Sequence, residues 1–535
     1  MTGIGNSHFK ISTSSELAQI YFDQGLNLLH CFWDHEAYRA FAEAARLDPA
    51  APMPQWGLYM ALTYNQSEQL QERQSALAAM KRLLPSANDH EQRYLRAILR
   101  LNEAENPTAG QAAFIDEMEK LAAAYPDDPE ARLFLSKFLF TESGGYFTDP
   151  DEAGNSSRQE AFARAREILA GLLKSHPNSA AVHHYWIHVH EYGPTPEIAL
   201  PSAERLPNMA PSSGHILHMP GHIYFQLGDY ERAYRSFKEG LAFDQQYMSQ
   251  RNLDPADNWN YVHNLDYLVS NCAEDGRYAE GQKWGQVLLD MPVSSHRSHS
   301  VGQGFVIYGG RTALARLHMR YGNWPAATAT LQTILQGDEF TAGDLPSRYM
   351  ASLGIFAHGM ATIASGDLEA AGPIVQQLLR ISLELREAQS EKGQDWYFSA
   401  AKRIVAIAAF ELNGAFLSAS GKHEEAIDFL VRAVGMEESL GYWEPPHYAR
   451  PVYQSLAQAL GNAGRLEDAR NVFAQELKRR PNNGHALFGI ARTYAVEKNI
   501  PKTREAYQRF LEAWKNADPD LPSVREARAW LAANP

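Results

Sequence analysis

Apolar residues recur along this chain at every third or fourth position, with charged and small polar residues between them, and strand-type alternation is scarce. The pattern predicts an all-α fold. The helices fall into pairs, and the pairs recur with a period of about 34 residues. The first copy runs from Ala18 to Pro49, with Gly25, Ala37, Phe41, Ala44 and Pro49 at its small, aromatic and turn positions. The same punctuation returns at Gly221, Tyr224, Gly228, Ala233 and Phe237, and again at Gly276 and Gly281, where the aromatic Trp284 falls one position short. Further copies are marked by Gly322 with Ala327, Gly366 with Ala371, Gly421 with Ala426 and Ala433, and Gly464 with Ala469, Phe473 and Pro481. Small residues let the two helices of a pair approach closely, and the aromatics fill the space between pairs. One pair cannot bury its apolar face alone, so consecutive pairs stack.

This punctuation resembles that of tetratricopeptide repeats over most of the chain, with the weakest match around residues 50–160. The resemblance implies an α-solenoid of helix-turn-helix repeats wound into a right-handed superhelix. It divides the chain into an N-terminal segment (1–17), repeat-like helices with an irregular insert (18–160), central histidine-rich repeats (161–300), and further repeats with capping helices (301–535). The insert carries a polar loop, Glu142 to Tyr146 through Asn155 to Ser157. The runs His184-Tyr185-Trp186-Ile187-His188, Gly214 to Tyr224, His263-Asn264-Leu265 and Tyr442-Trp443-Glu444-Pro445-Pro446 are similar to those of a group of large bacterial repeat proteins with no assigned activity. That likeness supports the fold and implies no reaction.

The formal net charge of −14 argues against nucleic acid as a partner, because phosphate binding needs a positive field. Two cysteines, Cys31 and Cys272, build no disulfide framework and no CxxC motif. No run approaches the ~18 apolar residues of a membrane span, and the first residues carry no basic-then-apolar leader. A cytoplasmic protein without membrane association is expected. No P-loop, GxSxG elbow, HExxH or strand-borne GxGxxG occurs.

Candidate chemistry enters with the histidines. Seven of the twenty fall between His183 and His222. In tetratricopeptide repeats, positions 2, 5, 9 and 12 of the first helix line the concave groove. The register places Ala181, His184, His188 and Glu191 there in one repeat, His215, His218, His222 and Phe225 in the next, and His263, Asp266, Ser270 and Ala273 in the third. At about 100° per residue, each histidine set shares one helix face. His184, His188, Glu191, His215, His218, His222, His263 and Asp266 are therefore candidate ligands for one or two transition-metal ions, iron, copper, zinc or manganese. Glu191 and Asp266 are candidate general bases where they are not ligands. Phe225 and Tyr261 are candidate walls of a substrate pocket, and Arg311 and Arg316 candidate anchors for a substrate carboxylate, with structural salt bridges as the default for both.

Other residues read more plainly. His183 and His190 fall off the groove face and are expected to pack between helices. His30 is set apart by distance along the solenoid. His296 and His299 read as loop residues, and Cys272 as a packing position. Pro220 lies inside the helix carrying His218 and His222 and either kinks it or sits near enough the first turn to be tolerated. The turn Tyr442 to His447 reads as a rigid linker, with a return towards the groove left open.

The expectation is a metal-dependent enzyme acting on a small-molecule substrate, oxidative or hydrolytic, built in the groove of the solenoid. Two alternatives stay open: a non-catalytic scaffold binding a protein or peptide, and a metal storage or sensing protein. Pairing of exposed terminal repeats into a homo-oligomer is open as well.

Overall fold

A computed structural model describes residues 1–62, 70–143, 155–191, 193–255, 258–292, 305–337, 343–388, 397–448 and 450–534. Among these residues there are 25 α-helices and no strand. His296, His299 and most of the polar loop of the insert lie outside the described residues.

The expected helix pairs are present, and their boundaries follow from local chemistry. Ser15 opens Glu16–His30 by accepting from the Ala18 amide, and Asp229 opens Tyr230–Arg251 by accepting from Arg232. Asn88 and Glu91 form a reciprocal capping box at the start of Asp89–Glu103. Between the helices of a pair the chain turns through a left-handed residue, which is glycine at Gly228, Gly276, Gly322, Gly366, Gly421 and Gly464. Phe32 and Lys498 take the same conformation in the first and last pairs without being glycine, at φ of 53° and 57°.

The chain divides into two compact units, residues 1–223 with 239–247, and residues 224–238 with 248–535. In the first unit the N-terminal helix is brought against Ala180–Glu191, more than 150 positions later. His30 and Tyr185 meet side chain to side chain at 2.8 Å. The Ser212 amide donates to the Gly3 carbonyl, and Asn6 Nδ2 to the Asn178 carbonyl, so the extended N-terminus is stitched to the same end of the unit.

The second unit also brings its ends together. Trp514 Nε1 donates to the Glu274 carbonyl at 2.8 Å, His485 Nε2 lies 3.0 Å from the Ala273 carbonyl, and the Asp518 amide donates to the Gly276 carbonyl. The last helix pairs thus close against Trp259–Asp275. At that closure the Glu274 carboxylate receives Arg320 through Nε and Nη2, at 3.0 and 2.9 Å, together with Arg480 and Asn483.

This buried ion network contains more acids than it can keep ionised. Burial pushes Glu274 up, but Arg320 and Arg480 outweigh it and hold the carboxyl down to about 2. Burial wins at Glu476 and Glu437, which are both pushed up to about 7, against Arg320 and Arg480 in the first case and chiefly Arg480 in the second. An acid whose folded pKa is raised favours the folded state below its unfolded pKa of about 4.3 and loses that contribution as pH rises through the folded value. The stability of this unit is therefore expected to fall between about pH 4.5 and 7. Glu476→Gln keeps an acceptor for Asn483 and removes one titration. Its melting temperature should exceed that of the wild type at pH 8 and match or trail it at pH 5. Equal differences at both pH values would contradict the assignment.

Candidate metal centre

The helix Ala180–Glu191 carries His184, His188 and Glu191 one turn apart, and the helix that starts at Gly214 carries His215, His218 and His222 in the same rhythm. Pro220 does not break this second helix, which runs unbroken from Gly214 to Gln226. The His218 and His222 rings stay 4.7 Å apart. These residues were expected to line an open groove. They are instead buried, His184 and His222 at 0% exposure and His215 at 4%. The curling of the first unit, with the N-terminal helix laid against them, is the reason.

His184, His188 and His215 form a trio whose ligand nitrogens all lie within 4.8 Å of one another. His184 Nε2 is 3.0 Å from His188 Nε2 and 3.1 Å from His215 Nε2. The other ring nitrogens explain why two of the three point inward. His184 Nδ1 lies 2.6 Å from the His30 carbonyl, which can only accept, so Nδ1 carries the proton and Nε2 presents a lone pair. His188 Nδ1 lies 2.5 Å from Glu191 Oε1, with the same consequence. Glu191 Oε2 lies 2.6 Å from His222 Nδ1, so this one carboxylate serves two imidazoles. Glu191 is thereby placed as the group that orients His188 and His222.

Phe32 roofs the trio. Its ring centroid is 4.7 Å from that of His184, 5.1 Å from His188 and 5.4 Å from His215. Its left-handed backbone costs an aromatic residue of order 1–2 kcal/mol, and this strain sits directly against the histidines. Lys137 Nζ lies 4.6 Å from the centre of the Phe32 ring, on a side chain that is itself buried. Burial is the main force holding His184 down to about 3, opposed by the hydrogen bond to the His30 carbonyl and aided by nearby His30 and Lys137.

Sequence reasoning missed Phe32, Lys137 and the part played by His30. His30 was set aside for its distance along the chain, yet it supplies the carbonyl that orients His184, and its ring bridges Tyr185 and Glu130. Phe32 had a legible signal: it occupies the turn position that glycine holds in most of the other repeats. His183 and His190 are buried off the trio, as expected. His183 contacts Ser202 Oγ and the Pro177 carbonyl, and the His190 ring packs tilted against Trp186.

The remaining candidates belong to the second unit. His263 is buried among Trp259, Tyr267 and Phe305, with Nε2 3.8 Å from Glu444. Asp266 is ion-paired with Arg316 at 2.5 Å, the structural bridge taken as the default for that arginine. Arg311 donates to the Leu289 carbonyl, and Tyr261 is buried in its helix. Phe225 lines a cleft. The turn Tyr442 to His447 does return, against Trp259–Asp275: Tyr442 and Tyr267 share a hydrogen bond of 2.8 Å. Cys31 and Cys272 are buried free thiols, and burial pushes Cys31 up to about 12.

The class defined by this fold is an α-helical repeat protein with a histidine cluster buried in its first unit. More particularly, the tetratricopeptide repeat family model matches residues 215–247 of the chain. No curated protein matches it. Among solved structures, the chain is similar to the APC/C hetero-tetramer Cut9–Hcn1, at 13% identity over 86% of this chain and 78% of that one, with a TM-score of 0.38. It is also similar to the human IFIT1 dimer with m7Gppp-AAAA, at 12% identity over 86% and 90%, with a TM-score of 0.39. The P58(IPK) TPR domain matches at 15% identity over 76% and 99%, with a TM-score of 0.21. At these scores the structural likenesses carry no argument about what this chain does. No helix among the described residues is long and apolar enough to cross a membrane.

Proposed function

We propose that this protein is a tetratricopeptide scaffold for a protein or peptide partner and that its first unit holds one transition-metal ion on His184, His188 and His215. The scaffold part rests on the repeat architecture, whose stacked pairs present extended surfaces suited to partner binding. The metal part rests on one observation. Two imidazoles whose protons are committed elsewhere turn lone pairs towards each other at 3.0 Å, with a third nitrogen at 3.1 Å. Facing lone pairs repel, and a cation among them reverses that repulsion. Metal–nitrogen bonds of about 2.0–2.1 Å at tetrahedral angles set donor nitrogens about 3.3 Å apart, so the trio needs to open by only a few tenths of an ångström. Glu191 and the His30 carbonyl supply the outer partners that ligating imidazoles use to fix their tautomer. An all-nitrogen trio suits zinc, copper or iron.

A second reading has its own support. Three protein donors leave a coordination position open, as in catalytic rather than structural zinc sites. An ion held this way would polarise a small-molecule substrate or activate water, which is the metal-dependent enzyme reading. Glu191 is committed to two imidazoles and is not the base in such a scheme.

Elemental analysis of the purified full chain, before chelation and after reconstitution, tests the metal assignment. About one equivalent of a single transition metal is expected. Uptake of less than about 0.2 equivalents after reconstitution at neutral pH, where the imidazoles are free to ligate, would overturn it.

A further inference from the structure

The histidine trio is sealed, and one side chain of the seal stands on a turn. His184, His188 and His215 are 0%, 2% and 4% exposed, so an ion reaches their nitrogens only when something moves. The rings packed against them include those of Phe140, Tyr185 and His218, and each of these stands within a helix or helical segment. Phe32 does not. It lies in the short connection, residues 31–33, between the helices Glu16–His30 and Asp34–Leu47. Its ring also meets all three imidazoles. Every centroid distance among these four rings falls between 4.7 and 5.8 Å, so the phenyl ring stands about equally close to each member of the trio.

Two features suit this ring to a movable cover. The first is strain. Phe32 holds the left-handed conformation, at φ of 53°, in a position where other repeat turns carry glycine. The strain offsets a large share of what a phenyl ring gains by burial, so the closed position is held by a narrower margin than an ordinary core phenylalanine has. A turn that relaxes as the ring swings away releases that strain and helps the opening. The second feature is access. Phe32 is 5% exposed, but the chain reaches the surface just beyond it, with Asp34 half-buried and His35 exposed. Lys137 Nζ, 4.6 Å from the ring centre, attracts the face of the ring and helps to seat it over the trio.

We propose that Phe32 is the gate of the histidine trio: a transition-metal ion enters and leaves as the ring swings off the imidazoles, and the closed ring sets the rate of exchange without setting the affinity. The gate rests on the metal assignment to His184, His188 and His215. Zinc exchange by the full chain in stopped flow is the test, with uptake measured on the metal-stripped protein and release measured into excess chromogenic chelator. Phe32→Gly removes the ring and suits the left-handed turn, so the helical circular dichroism should match that of the wild type. Both rates should rise by about tenfold or more while the equilibrium affinity for zinc stays within about threefold, because a gate scales entry and exit alike. Phe32→Asn, another residue that tolerates the left-handed region, should do the same and decides the matter should the glycine variant fail to fold. Unchanged rates in a folded variant overturn the gate. A rise in release alone, with affinity falling in step, overturns it as well and makes Phe32 a prop for the imidazoles. A wild type that takes up no zinc removes the metal assignment and the gate with it, whereas zinc uptake with unmoved rates removes the gate only.

Discussion

Replacing His188 by alanine should release the metal ion while the chain stays folded. The substitution removes one of three donors and leaves Glu191 Oε1 without its imidazole partner, so retention after dialysis should fall to background. Glu191→Gln is the more discriminating change. Its amide oxygen can accept from one imidazole, but its NH₂ cannot accept from the other, so either His188 or His222 loses the partner that holds its tautomer. Changes in such outer partners typically cost 10–100-fold in metal affinity, and the ion should be weakened by that factor rather than lost. His183→Ala serves as the control: it deletes a buried imidazole held by Ser202 and Pro177, outside the trio. It should keep the metal in full. Equal metal content in all three variants would mean the trio is an ordinary part of the core.

The largest expected loss of stability follows Glu274→Ala. The change strips Arg320, Arg480 and Asn483 of a common acceptor at a closure that Trp514 and His485 share. Removing one partner of a buried ion pair costs about 3–5 kcal/mol, because the remaining charge stays in the interior without compensation. Hydrogen exchange should locate the effect, with amides of the helices Gly484–Val496 and Ile500–Ala513 losing protection first. Replacing the pair together, as Glu274→Leu with Arg320→Met, should restore much of the loss, since an apolar pair of similar volume carries no desolvation cost. Protection in these helices unchanged by Glu274→Ala would show that the closure rests on apolar packing alone.

Part of the groove register was legible in the repeat spacing. Phe225, Ser270 and Ala273, placed on the inner face from repeat spacing, do line the cleft of the second unit. His184 and His188 were legible as neighbours because i and i+4 share a helix face, and His215 because the next repeat repeats the rhythm. The exposure of these residues was not legible. Periodicity says which face of a helix turns inward. It does not say whether the stack curls far enough for another helix to cover that face. Curvature is the sum of small rotations at each pair, set by the sizes of residues in contact across pairs.

The amino-acid sequence by itself determined the all-α repeat architecture, the turns between paired helices and the face on which the histidines lie, because each depends on residues within about one repeat of one another. Only the tertiary structure decided what those faces meet. It brought the His30 carbonyl and Phe32 onto His184, engaged Asp266 with Arg316, and joined Glu274 to Arg480. The physical reason is the same in each case: these contacts join residues about 50 to more than 200 positions apart, and their formation rests on how many helix pairs stack and how far each stack turns.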